Sequence, residues 1–532
     1  MSFVSNPNQQ LNFDDSYNNL TDREKRFLDK SWAKPFAEEI FPSINEDMFS
    51  VLYSDKASRP NTPVNVIVGS LILKELLNMT DDEMVEALMF DIRFQYALHT
   101  TSFKEQPLSD RSLGRFRERC NAYETEHGRD LVKEAVLLLS DKIAKAMKLN
   151  LTLKRMDSMM IASNIKKLSR LELLYTCVAN MVKCLHKSGD DELIKGMEHY
   201  YDDNDRNKVI YHNRSEETTD KVQTVINDAS KLLPLIEDKY LQTSEYQLLL
   251  RVFKEQTEDD DKGTRKLREG KDLNSRILQN PSDPDATYRK KAGKETRGYS
   301  ANLVETFDES NSVISDYQYD TSIRSDSSYL KEVIKEMGIQ EEQVTIIADG
   351  AYGGEDNQNL ATENNINLIT TDFQGSKPNE VFAEFVFSED GKTLLRCANG
   401  QEPITSKYNE QTGQCRSKMD LEKCLNCPHI EACNPQLQKK SAIILMSSKT
   451  VGRAKQLQVM RTDEFQEFAK SRNGVESLPS TLRRKYDVDK MPVRGRLRTK
   501  LYFGFKIAAL NLRKLCKYYD SLVKHPPKLA LE

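Results

Sequence analysis

Three carboxylates stand out by the residues around them. Val344-Thr-Ile-Ile-Ala runs an apolar, β-favouring segment into Asp349, and Gly350, Gly353 and Gly354 open the loop that follows. The helix-tolerant stretch Glu355 to Asn364 comes next, then Ile366-Asn-Leu-Ile-Thr-Thr as another strand. That is a β-α-β pattern with an aspartate at the carboxyl end of its first strand, where α/β sheets bind ligands. Glycines beside it let a backbone or ligand come close. Leu151 to Ile161 reads as a second strand, ending near Asp157. Glu476 closes Arg472-Asn-Gly-Val-Glu, four residues after an arginine with which it shares a helix face. Three carboxylates drawn together repel unless cations neutralise them. Two magnesium ions held in this way activate a water or hydroxyl and stabilise the leaving oxygen in phosphodiester cleavage. A strand followed by Asp-Gly is more often only an aspartate capping the next helix, so other features must decide.

Cysteines supply the second group. Cys397, Cys415, Cys424, Cys427 and Cys433 cluster in a loop-rich stretch after Thr371. Cys424-Leu-Asn-Cys427 with Cys433 six residues on, and Cys397 upstream as a fourth, has the spacing of a closed tetrahedral zinc site. Cys415 and His429 are competing ligands, and free thiols in a small subdomain are the alternative. Nine cysteines in 532 residues form no disulfide framework, which suits a reducing compartment.

The third group is basic. Net charge is only -4, so overall charge names no partner. Arg472 to Lys517 nevertheless holds thirteen Lys and Arg against three Asp and Glu, a net of +10 that leaves -14 elsewhere. Arg494, Arg496 and Arg498 lie in this block, which suits contact with phosphates. A helix opening at Ser109 carries Arg111, Arg115, Arg117 and Arg119. Short helices ending on arginines suit a helix-turn-helix-like DNA binder, and equally a bundle with a solvated basic face.

These groups need elements to hold them. The length predicts several domains, and 38% hydrophobic residues are enough for sizeable cores. The polar, Asn-rich residues 1–20 read as a disordered tail. Residues 21–148 read as a helical DNA-binding domain: Val64 to Leu77 is apolar on most faces, and Thr80-Asp-Asp-Glu83 is a capping box. Residues 149–165 and 279–375 read as an α/β core, with a β-meander over Asp283 to Ile323 and a helix over Ser327 to Met337. Residues 166–278 read as a helical insertion, 376–440 as a cysteine-rich, zinc-ribbon-like insertion, and 441–532 as C-terminal helices that complete the core and contact DNA. The apolar run Val64 to Leu73 is too short to span a membrane, and no charged-then-apolar leader opens the chain. The expectation is a cytoplasmic, nucleoid-associated protein.

Taken in order, these motifs resemble a family, the DDE transposases of bacterial insertion sequences in the branch with an N-terminal helical transposase domain. The likeness runs from Leu52 to Tyr519. It is carried by Ser54-Asp-Lys to Arg119, Arg155-Met-Asp-Ser-Met-Met-Ile-Ala-Ser-Asn, Ala348-Asp-Gly-Ala-Tyr, the cysteine cluster, Arg472-Asn-Gly-Val-Glu and Pro492-Val-Arg-Gly. The resemblance implies a multidomain α/β fold with a ribonuclease H-like core and Asp157, Asp349 and Glu476 as a catalytic triad. It implies magnesium or manganese as cofactor, with structural zinc on Cys397, Cys424, Cys427 and Cys433. The implied partners are double-stranded DNA, as transposon terminal inverted repeats and target, and a second copy of the chain on that DNA. A related group carries a Tyr, Arg, Glu and Lys signature. The matching positions here are Ala469, Arg472, Glu476 and Arg483, so the tyrosine is missing and the lysine is another cation. Arg472 and Arg483 would neutralise phosphates near the cut. The implied reaction is metal-dependent cleavage at transposon ends and strand transfer. The alternatives are a nuclease without strand transfer and an inactive, DNA-binding derivative.

Overall fold

The structure is a computed structural model that describes residues 1–6, 16–54, 56, 58–100, 108–211, 215–260, 264–291, 293–373 and 377–524. The chain divides into two compact units. One comprises Met1–Leu151, Asp157–Ser325 and Leu478–Glu532; the other comprises Thr152–Met156 and Asp326–Ser477.

The first unit opens with helices α1 (Asp22–Asp29), α2 (Ala33–Pro35), α3 (Val64–Leu77), α4 (Asp81–Phe90), α5 (Ile92–Ala97), α6 (Asp110–His127) and α7 (Leu131–Ala146). Local signals set their ends. Thr80 and Glu83 form the expected reciprocal cap on α4, and Asp130 accepts from the Lys133 N–H to start α7. Every residue of α3 from Val64 to Leu76 is buried, as an all-round apolar helix must be. The tail expected over residues 1–20 is corrected where it is described. Val4 N–H donates to Asn61 at 2.7 Å, and Asn6 bonds to Glu46 and Asn65. Its remainder, residues 7–15, lies outside the described residues.

Strand β1 (Leu153–Ala162) does not end near Asp157 as expected. Met159 and Ile161 continue its buried pattern, and its later residues border a long partner strand. After it come α8 (Arg170–Lys187), α9 (Asp203–Ile210), α10 (Ser215–Tyr240) and α11 (Ser244–Gln256), around a cluster that includes Leu174, Val178, Ile226 and Leu249. The charged stretch Glu255 to Lys271 is not wholly helical. It holds a small hairpin, β2 (Thr257–Asp259) with β3 (Arg265–Leu267), whose charges pair across the strands. The expected meander is present as β4 (Thr287–Lys291), β5 (Lys294–Phe307) and β6 (Ser312–Thr321), paired antiparallel. β5 comes so close to the end of β1 that a Cβ at Gly298 would lie 2.4 Å from the Ile161 carbonyl oxygen.

The second unit begins with the first residues of β1. It continues with α12 (Asp326–Met337), β7 (Val344–Ala348), α13 (Glu355–Glu363) and β8 (Ile366–Thr370). Here β1, β7 and β8 pair in parallel, with Leu153 to Arg155 set against Thr345 to Ile347 and Val344 to Ala348 against Ile366 to Thr370. The apolar run of β7 is buried on both faces, as a parallel strand requires. The next stretch is less loop-rich than expected. β9 (Val386–Phe387) pairs with β10 (Leu394–Arg396). Strands β11 (Thr405–Asn409), β12 (Gln414–Met419), β13 (Gln436–Gln438) and β14 (Ser441–Ser447) form a sheet in the order β11-β12-β14-β13. Short helices α14 (Leu421–Leu425) and α15 (Ile430–Cys433) carry Cys424 and Cys433, with Cys427 in the connection between them, before α16 (Ser448–Met460) and α17 (Asp463–Arg472).

Back in the first unit, α18 (Ser477–Tyr486) leads to the long α19 (Arg496–Lys524). α19 packs against α3, α7 and β6, burying Ile507, Leu510 and Leu512. Lys506 pairs with Glu75 at 2.5 Å in this interior. Asn511 bonds to both backbone groups of Ile314 on β6. The N-terminal helices, the meander and α19 therefore share one core.

Candidate functional site

Asp349 leaves β7 and caps a short turn, its Oδ1 accepting from the Gly350 N–H at 2.5 Å. The turn is tight because Gly350 has no side chain. A Cβ there would lie 2.6 Å from the Asp372 carbonyl oxygen. Helix α17 packs on β7 and ends at Arg472. The Arg472 guanidinium, 13% exposed, reaches Glu476 Oε1 at 3.1 Å and Asp349 Oδ2 at 3.8 Å. Both carboxylates are far more open, Asp349 at 44% and Glu476 at 57%. One cation thus holds two acceptor groups at the mouth of a parallel strand.

Glu476 does not share a helix with Arg472. α17 stops at Arg472, and residues 473–476 form turns in which the Val475 and Glu476 N–H groups bond back to Arg472 and Asn473. The two side chains meet because the turn curls back. The residue that secures this turn went unassigned in the sequence reading. Arg155, buried on β1, donates from Nη1 to the Ser471 carbonyl oxygen at 2.5 Å. A cation at a helix C-terminus is favourable, and this one is fixed by a strand. Its signal in the sequence is weak: an arginine in a strand of mixed polarity, beside Lys154 and two residues before Asp157.

In the first unit Asp157 is half-buried on β1 and accepts the Ser158 N–H at 2.9 Å. Arg483 is committed to the fold. Its guanidinium donates to the Met160 carbonyl oxygen at 2.7 Å and pairs with Asp489 at 3.1 Å, and Asp489 in turn accepts the Ala162 N–H. Arg494 donates to the Asn164 carbonyl oxygen, and the Arg496 N–H at the start of α19 donates to Asp285. Arg498 is exposed. On α6, Arg111 and Arg115 are exposed. Arg117 is instead paired with Asp81 and set against the Tyr502 ring, and Arg119 lies over Tyr53.

The cysteines separate. Cys397, Cys424, Cys427, His429 and Cys433 line one small cavity. Burial, and then the neighbouring thiols, push Cys433 up to about 12 and raise Cys424. Cys415 is not among them. It is buried on β12, where its sulfur contacts Ser406 and Ser417. All nine cysteines are free. Among the described residues no group of three or more His, Cys, Asp or Glu side chains is arranged to hold a metal ion.

Residues 24–119 match the family model described as Transposase domain (DUF772), and residues 396–516 match the one described as Transposase DDE domain. Together these matches support a DDE-class transposase of an insertion sequence. No curated protein and no solved structure is a significant match to it. The first matched segment covers α3 to α5 and much of α6, with Arg111 and Arg115. The second covers the cysteine cavity, Arg472, Glu476 and most of α19, while Asp157 and Asp349 lie outside both. No helix among the described residues is long and apolar enough to cross a membrane.

Proposed function

We propose that this transposase cuts DNA at the ends of its element and joins those ends to target DNA, with Asp157, Asp349 and Glu476 as its metal-binding carboxylates. The observation that carries the reading is the meeting of Asp349 and Glu476 on Arg472, since their order in the chain is the order of the family's acidic residues. In the second unit the register of β1 on β7 pairs Arg155 with Ile347, two positions before Asp349. A parallel β1-β7-β8 arrangement and an antiparallel β4-β5-β6 meander support a ribonuclease H-like core.

The donor set fits magnesium or manganese, being hard carboxylate oxygens, with Asp349 and Glu476 at open positions. When bound, such ions supply charge neutralisation at the scissile phosphate and an activated nucleophile. The chain's own part is to hold those oxygens and to orient Glu476 through Arg472, a charge-assisted hydrogen bond. In the first step a water oxygen attacks phosphorus, the bond to the 3′ oxygen breaks and a 3′-hydroxyl is freed. In the second that hydroxyl attacks a target phosphodiester, and the displaced 3′ oxygen leaves with a proton. The protein acts as a homodimer, one copy for each end.

The test is incubation of the folded full chain and magnesium with a labelled duplex carrying the element's ends. Cleaved and joined products are expected. Cleavage without joining would leave a nuclease, and binding without cleavage an inactive derivative.

The cysteine cavity supports a second, structural assignment. Four thiols and an imidazole around one space are the soft donors zinc prefers, so Cys397, Cys424, Cys427 and Cys433 would hold it, with His429 as the alternative ligand.

A further inference from the structure

We propose that the β4–β5 hairpin is a ribbon that grips the phosphodiester backbone of duplex DNA, a surface the arginine motifs did not include. Between Thr287 and Gly298 it carries Arg289, Lys290, Lys291, Lys294 and Arg297 against Glu295 alone, a net of +4 in a chain of net -4.

Its base is anchored. Arg289 donates to the carbonyl oxygens of Ser322 and Arg324 at 3.1 and 2.8 Å, Arg297 lies 5.2 Å over the Tyr288 ring, and Thr287 and Thr296 are buried. The tip is the opposite. Lys290, Lys291 and Lys294 are exposed, and the register sets Lys291 directly across from Lys294. Like charges facing each other across antiparallel strands are destabilising. A polyanion bound along the hairpin would offset that repulsion. The alternation of a strand and the register put Arg289, Lys291 and Lys294 on one face and Lys290 and Arg297 on the other, so cations line both faces of the ribbon.

A two-stranded ribbon is narrow enough to follow or enter the major groove. The exposed cations at the tip are lysines, point charges without the planar fork that reads base edges, so contact with phosphates independent of sequence is the mode that fits. Lys291 Nζ also lies 3.4 Å from Ser158 Oγ, on the residue that follows Asp157. The tip therefore stands beside the strand that bears a candidate catalytic carboxylate. This inference rests on the reading that the protein acts on DNA.

The test compares three full-length proteins on a random-sequence DNA duplex over a range of salt: wild type, Lys290→Gln/Lys291→Gln/Lys294→Gln, and Lys142→Gln/Lys231→Gln/Lys254→Gln. The last removes equal charge from exposed positions on α7, α10 and α11. The hairpin variant should bind roughly tenfold or more weakly at physiological salt, with the salt slope reduced by about two to three, one per lost phosphate contact. The control variant should stay near wild type. A melting temperature near that of wild type shows that the hairpin variant is folded. Equal binding by hairpin variant and wild type, or equal loss in both variants, overturns the ribbon while leaving the transposase reading intact. A loss seen with an RNA duplex but not with DNA overturns the choice of partner. A wild type that binds no duplex overturns both readings.

Discussion

The guanidinium of Arg155 occupies the space that a side chain at residue 474 would need. A Cβ built on Gly474 would lie 2.2 Å from Arg155 Nη1 and 2.5 Å from Cζ. That same Nη1 is bonded to the Ser471 carbonyl oxygen. Strand and turn are thus interlocked directly before Glu476.

Gly474→Ala should therefore displace the arginine or the turn. The expected loss is about 1–3 kcal/mol of stability, the usual range for overpacking a filled site. Arg155→Lys keeps the charge but not the fork. Both variants should lower DNA cleavage more than DNA binding, because the turn bears Glu476. Urea unfolding and cleavage assays would check this, and wild-type stability in Gly474→Ala would refute the interlock.

The three carboxylates should behave as one unit. Asp157→Asn, Asp349→Asn and Glu476→Gln are near-isosteric, so folding and DNA binding should survive. Each removes a negative metal ligand and should lower magnesium-supported cleavage by several orders of magnitude, without further loss on combination. Near wild-type cleavage by any folded single variant would remove that residue from the assignment.

For the cysteine cavity, protein purified under reducing conditions should carry about one zinc per chain, as a single four-ligand site requires. Cys424→Ser/Cys427→Ser should lose it. Cys415→Ser should keep it, because Cys415 lies on β12 away from the cavity lining. Elemental analysis decides, and zinc-free wild type would leave the thiols a purely structural cluster.

Asp81 gives a pH-dependent prediction. Burial alone would raise its pKa, but hydrogen bonds from Arg117 and Lys74 outweigh this and hold it below the ordinary carboxylate value. A depressed folded pKa contributes stability above the unfolded value, near 3.9, and loses it as pH falls through the folded one. Asp81→Asn should cost about 2–3 kcal/mol at pH 7, somewhat below a fully buried pair because Asp81 keeps a quarter of its side-chain exposure. The gap from wild type should shrink steadily below about pH 4. Denaturation at pH 7 and pH 3 would show it, and a gap independent of pH would refute it.

What could be read in advance was local. Pro63 before an apolar run marked α3 over Val64–Leu77, Thr80 and Glu83 marked the start of α4, and Val344 to Ala348 marked β7. In each case the deciding residues lie within a few positions of one another. Composition and order of motifs likewise sufficed for the transposase likeness, because motif order survives without knowledge of contacts. Features that depend on distant partners were not legible. β1 runs past Asp157 because β5, more than a hundred residues later, borders it and Gly298 lets it come close. Glu476 looked helical from its spacing, yet it lies in a turn that Arg155 holds from another part of the chain. Cys415 matched its neighbours in type, but the β12–β14 pairing carries it away from them. Short-range propensity and capping act through a few adjacent residues, whereas strand extent, turn closure and ligand grouping follow from which far segments pack together. That choice is made by the burial of the whole chain.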